Sequence, residues 1–286
     1  MSIAEALAQG QLGAMARPAR APREGLAATA MSRGRTGVWS AAGALTLAAA
    51  IFSGPADRAA AVVGAAAKDA RFADRVVMVL TRGANEAGFC SGVVLGPRVV
   101  LTAAHCLRPT DDMLVHYRDE AGRPAVVAVQ AVAAHPLYRA DAIARRVVSI
   151  DLALVETATP LDARFVAARL ASGDGPAVGE TTILAGYGVA REGEPKTGGT
   201  LRSARLRVRA PLSTILLWAE GGGETGLGAC AGDSGAPLFS ADGATVLAIV
   251  AWSSGPAGSH CGALTQGPLV APQRAWIDAT ISRWRP

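Results

Sequence analysis

From about residue 62 onward the chain is a succession of short apolar runs cut apart by turn residues, and no other feature restricts the fold as much. The runs are RVVMVL, SGVVLG, RVVLTAA, DMLVHY, AVVAVQAVAA, DLALVE, TTILAGYG, TLRSARLRVRA and TVLAIVAW. They are rich in Val, short, and bounded by Gly, Pro, Asp or Asn. That pattern predicts an all-β sandwich or barrel, not alternating β and α units. Only the tail, QRAWIDATISRW, has helical spacing, with Trp276, Ile277, Ile281 and Trp284 on one face, so a closing C-terminal helix is expected. The Gly-rich stretches REGEPKTGG and EGGGETGLG read as exposed loops within one domain. Half of the 286 residues are hydrophobic, enough for a substantial core.

The first 61 residues read differently, as a leader. MSRGRTG precedes the apolar VWSAAGALTLAAAIF and then the small-residue stretch SGPADRAAA, the order of a basic region, an apolar region and a cleavage site. Met31 is the expected start, and residues 1–30 lack periodicity. The apolar run of fifteen residues is short for a bilayer span of about 20. The mature part, 62–286, is therefore expected to be exported, to a secreted or periplasmic location, without a stable membrane span. A single anchor formed by residues 38–52 is the competing reading. The net charge of +5 is uneven: residues 1–61 hold six Arg against three acids, and taking these from the totals of 28 and 23 leaves 22 against 20. No basic stripe remains, which argues against nucleic acid as a partner.

Four cysteines in an exported chain predict two disulfides, and four thiols allow three pairings. The local choice joins Cys90 to Cys106 and Cys230 to Cys261. A zinc site from Cys90, His105 and Cys106 is the rival, but adjacent ligands at 105 and 106 do not match zinc spacings, so no metal is expected.

Within GACAGDSGAPLF, residues 228–239, Gly232 and Gly235 flank an Asp–Ser pair. Glycine permits sharp bends and close approach, which puts Ser234 on a tight turn. An ordinary surface turn would use the same residues. A serine nucleophile, however, needs a base and a third group that fixes the base. His105 closes the apolar VVLTAAHC beside a cysteine, whereas His116, His135 and His260 lie in polar or turn contexts. Asp151 sits in SIDLALVE, where a carboxylate asks for a compensating partner.

These segments, LTAAHC at 101–106, DLALV at 151–155 and GDSGAPL at 232–238, together resemble the chymotrypsin-like serine proteases, in the order His, Asp, Ser. The two cysteine pairs, AAHPLY, AGYG at 185–188 and VAW at 250–252 look like further landmarks. An α/β-hydrolase elbow does not fit, since Ala236 replaces its second glycine and His105 comes first. The resemblance implies two six-stranded antiparallel β-barrels with the active site in the cleft between them. It also implies a secreted serine endopeptidase that needs no cofactor, with a polypeptide substrate, a protein inhibitor as a further partner class, and a monomeric state. Ser234 would be the nucleophile, His105 the base and Asp151 its orienter, with the Gly232 and Ser234 N–H groups as oxyanion hole.

Other roles carry over residue by residue. Asp233 would pair with a new α-ammonium at Val62, the start of VVGA, although Ala65 stands where glycine is usual. Ala59 and Ala61 suit signal peptidase, so export itself would release Val62. Gly228 would form the base of the primary specificity pocket with Ser253 and Gly267 as walls. The acid that selects Lys or Arg is missing there, so an apolar preference is implied, unless Glu224 reaches inward. Ala251, Trp252 and Ser253 would bind substrate backbone. Ala251 also replaces a serine that usually hydrogen-bonds the catalytic aspartate. An inactive homologue acting as a binding module, and an esterase on the same scaffold, are the alternative functions.

Overall fold

The computed structural model describes residues 66–284, apart from 84–86, 146, 222–225 and 257, and leaves the side chain of residue 143 undescribed. The leader 1–61, Met31, Val62 and Glu224 lie outside the described residues.

After a two-residue strand β1 (Ala67–Lys68), six strands follow: β2 (Val76–Arg82), β3 (Ala87–Gly96), β4 (Val99–Thr102), β5 (Met113–Arg118), β6 (Pro124–Ala134) and β7 (Ala153–Thr157). They close an antiparallel barrel in the order β2-β3-β4-β7-β6-β5. A short helix α1 (Ala142–Arg145) lies between β6 and β7.

The second half contributes β8 (Arg169–Leu170), β9 (Thr181–Gly186), β10 (Arg202–Val208), β11 (Leu216–Glu220), β12 (Pro237–Ser240), β13 (Thr245–Ile249), β14 (Trp252–Ser254) and β15 (Leu264–Pro268). Their order is β14-β15-β11-β10-β9-β12-β13-β8, with β1 added beside β10. All pair antiparallel except β8 with β13. This sheet is not sealed by a continuous ladder, unlike the expected second barrel. It curls until β13 meets the end of β15 at one bridge, Ala248 to Leu269, with the Val270 N–H on the Leu247 carbonyl at 3.0 Å. Six of its strands thus come round to meet.

The near-continuous apolar runs have a packing cause. Successive strand residues point to opposite faces, and in β4, β7, β9 and β12 both faces are buried. Val100 and Val155 face the interior of the first barrel, while their neighbours Leu101 and Leu154 face a shared core with Ile183, Phe239 and Ile249 of the second sheet. Leu184 and Leu238 point the other way, into that sheet's own interior with Leu206 and Leu217. Helix α2 (Arg274–Trp284) closes the shared core with Ile277, which is fully buried, and with the partly buried Trp276, Ile281 and Trp284. The disulfides join Cys90 to Cys106 and Cys230 to Cys261. The sulfurs of Cys90 and Cys106 are therefore bonded to each other beside His105.

Candidate active site

β4 ends at Thr102, and a single 3₁₀ turn, Ala104–Cys106, carries His105. Amides in a first turn have no partner within it. The His105 N–H finds one outside, donating to Asp151 Oδ1 at 2.9 Å, while the imidazole Nδ1 lies 2.6 Å from Asp151 Oδ2. An ionised carboxylate only accepts, so Nδ1 holds the proton and Nε2 is left as an acceptor. Asp151 stands two residues before the start of β7, at the centre of a tight turn in which the Leu152 N–H reaches the Ile150 carbonyl at 2.9 Å. Among the described residues both hydrogen bonds of its carboxylate come from His105, and Ala251, which lines the same groove of about 670 Å³, has no hydroxyl to add a third.

The Ser234 turn needs its two glycines for stated reasons. Gly232 has φ 91° and Gly235 φ 82°, the left-handed region that side chains avoid. A Cβ at Gly232 would come within 2.3 Å of the Phe89 ring, and one at Gly235 within 2.1 Å of the Ser91 carbonyl and 2.2 Å of Thr102 Oγ1. The turn is therefore seated on the end of β4, two residues before the histidine turn. Three hydrogen bonds hold it there: Ser91 N–H to the Ser234 carbonyl at 2.8 Å, Ser91 Oγ to the Gly232 carbonyl at 2.9 Å, and Gly235 N–H to the Val250 carbonyl at 2.7 Å. The Ser234 hydroxyl is bonded to no protein group among the described residues.

Beside Ser234, the Ala231 carbonyl accepts the Val189 N–H at 2.9 Å. In a trans peptide the carbonyl and the following N–H point oppositely, so the Gly232 N–H is aimed away from Val189. Neither the Gly232 nor the Ser234 N–H donates to a protein acceptor among the described residues. Between them Asp233 turns inward and is fully buried. It accepts the Gly188 N–H at 2.9 Å and the Cys230 N–H at 3.0 Å. Burial pushes its carboxyl up to about 7, while those two N–H groups and the Arg202 guanidinium pull it back. Its chamber exists because Gly186 and Gly188 lack side chains: a Cβ on either would come within 2.3 Å of the carboxylate.

The pocket residues divide. Gly228 is buried, and a Cβ there would lie 3.3 Å from Thr265 Oγ1, which accepts the Ala229 N–H at 2.9 Å. The β14–β15 ladder pairs Ser253 with Thr265, not with Gly267. Gly267 lies two residues further along β15, where a Cβ would meet the Ile249 carbonyl at 1.9 Å. Trp252 is 41% exposed on β14, the terminal strand of its sheet, which has β15 as its one paired neighbour among the described residues. Sequence reasoning missed Ser91, Arg202 and Thr265. Ser91 and Thr265 are polar residues buried inside strands, and Arg202 is one of four arginines in an alternating run, so none carried a distinguishing local signal.

The trypsin family model matches residues 61–274. Trypsin eta of Drosophila melanogaster is 30% identical over 184 residues, covering 58% of this chain and 67% of its own. The alkaline trypsin C of Manduca sexta is 28% identical over 221 residues, 66% of this chain and 78% of its own. Among solved structures, the scabies mite inactivated protease paralogue S-I1 superposes with TM-score 0.62 at 24% identity, over 77% of this chain and 99% of its own. Neuropsin, a serine protease of mouse brain, gives 0.57 at 23% identity, over 71% and 93%. The match spans well over half of the sequence and includes the His105, Asp151 and Ser234 segments: the chain belongs to the trypsin family of chymotrypsin-like serine proteases.

Proposed function

We propose that the protein is a serine endopeptidase, working in an oxidising, extracytoplasmic compartment and cutting polypeptides after apolar residues. The observation that carries this reading is the two-point contact of His105 with Asp151, which leaves Nε2 as an acceptor next to the strand end on which the Ser234 turn is seated. In the reaction Ser234 Oγ attacks the scissile carbonyl carbon as Nε2 takes its proton. The tetrahedral oxygen accepts from the Gly232 and Ser234 N–H groups, each worth roughly 10²- to 10³-fold in rate. Collapse expels the amine, protonated by His105, and leaves an acyl-enzyme that water hydrolyses by the same steps in reverse.

With Gly228 at the base of the specificity pocket, Ser253 and Thr265 nearby and no acid there among the described residues, uncharged side chains are favoured. The terminal place of β14 in its sheet supports antiparallel binding of the substrate backbone along Ala251–Ser253. Two intact disulfides suit an oxidising location, and among the described residues no helix is long and apolar enough to cross a membrane. A protein inhibitor would occupy the same edge as substrate, and a monomer suffices for this chemistry.

One of the similar solved structures is that of an inactivated protease paralogue, so a binding-only role is the reading to exclude. A serine-directed phosphonate probe decides. We expect covalent labelling at Ser234, at least ~10⁴-fold loss of peptide turnover in Ser234→Ala, and cleavage after apolar residues. An unlabelled protein would overturn the peptidase reading, and rapid cleavage after arginine would overturn the pocket assignment.

A further inference from the structure

Asp233 is a fully buried carboxylate whose hydrogen bonds, among the described residues, come from two backbone N–H groups. A buried cation lies across the same chamber. Arg202, only 5% exposed, pairs with Gly186 in the β9–β10 ladder. Residues directly opposite in an antiparallel pair project from the same face, and the missing Cβ of Gly186 would lie 2.3 Å from Asp233 Oδ1. The Arg202 side chain therefore leaves its strand on the face where Asp233 sits.

Its hydrogen bonding is incomplete. Nη1 reaches the Thr197 and Thr200 carbonyls at 3.4 and 3.3 Å, both long, and the buried Nε has no partner. No carboxylate is in salt-bridge contact with it among the described residues, and Asp233 acts on it through the intervening interior. A buried guanidinium and a buried carboxylate are each costly alone, and each lowers the cost of the other.

We propose that Arg202 is the internal counter-charge of Asp233, a positioning residue that keeps the Gly232–Ser234 turn assembled while the chain is still uncleaved at its amino end. The regulatory consequence, which rests on the peptidase reading above, is that activity does not wait for an α-ammonium to be released. Asp233 is covalently continuous with both oxyanion donors. Holding its carboxylate inward, towards Gly188 and Arg202, keeps those N–H groups outward.

Two measurements test this on the full chain. In the first, phosphonate labelling is followed for the full chain and for the secreted, processed form. We expect the full chain to react within about tenfold of the processed one, Arg202→Gln to slow the full chain by about 10²-fold, the loss of one oxyanion donor, and Arg202→Lys to restore most of the rate. A full chain that stays inert while the processed form reacts would overturn the counter-charge and leave the peptidase reading standing. Inertness of both forms would overturn the peptidase reading itself. The second measurement needs no activity: unfolding midpoints of wild type, Arg202→Gln, Asp233→Asn and the double variant. Coupling predicts that the double variant unfolds no earlier than the worse single one, and additive losses would overturn the proposal.

Discussion

Ser91 is the residue through which the first barrel meets the Ser234 turn. It has no exposed surface, and its hydroxyl donates to the Gly232 carbonyl while accepting the Tyr187 N–H at 2.9 Å; its own carbonyl accepts from Thr102 Oγ1 at 2.8 Å. Replacing it with Ala leaves two half-buried backbone groups unpaired, each costing about 1 kcal/mol. Ser91→Ala is expected to lower stability by that order and to slow phosphonate labelling about tenfold, measured by denaturant unfolding and by labelling rate. Asp233 makes a pH-dependent contribution. Its folded carboxyl is raised from 3.8 to about 7, so the native state holds a proton that the unfolded chain releases near pH 4. The stability linked to that proton is complete below pH 4 and is lost as pH climbs through 7. The difference in unfolding free energy between wild type and Asp233→Asn should therefore fall as pH rises from 4 to 7. A flat difference would show that the folded carboxyl titrates no higher than it does in the unfolded chain.

Among the elements, α2 depends on one side chain more than on its helical propensity. Ile277 has no exposed surface and joins Leu152, Phe239 and Ile249, while His135 meets Trp276 edge to face at 4.7 Å between ring centroids. Ile277→Ala should cost about 2–5 kcal/mol, read as a lowered unfolding midpoint with the labelling rate retained, because the helix stands apart from Ser234. The expected face of α2 was right for its apolar residues, yet the buried Thr280 among them had no signature in the spacing. All nine apolar runs contain strand; in β4, β7 and β9 the apolar stretch is continuous because both faces are buried, whereas β6 is apolar yet largely open. Strands β11, β12 and β15 were not read from the pattern. PLFS and LTQGP are short and carry Pro, Gly or polar residues, and what makes them strands is the neighbour on either side. TVLAIVAW is broken at Val250 and Ala251, where the chain changes partners: the Val250 N–H bonds the Ala236 carbonyl and the Ala251 N–H bonds the Gln266 carbonyl.

For the whole molecule, local chemistry written along the chain was enough to determine the β class and the closing helix and, together with the family resemblance, to single out the disulfide pairs and the segments around His105, Asp151 and Ser234. Each of these rests on interactions a short stretch can encode: alternation, turn glycines, and a histidine pinned beside a cysteine. Tertiary structure decided the rest, because burial and register are set by residues far apart in sequence. It brought the second sheet round through a single bridge and set Thr265 across from Ser253. It also enclosed Asp233 in a chamber walled by Gly186 and Gly188 and faced by Arg202. No local pattern announces a buried charge whose compensation comes from another strand, since only the fold removes the water that would otherwise have solvated both.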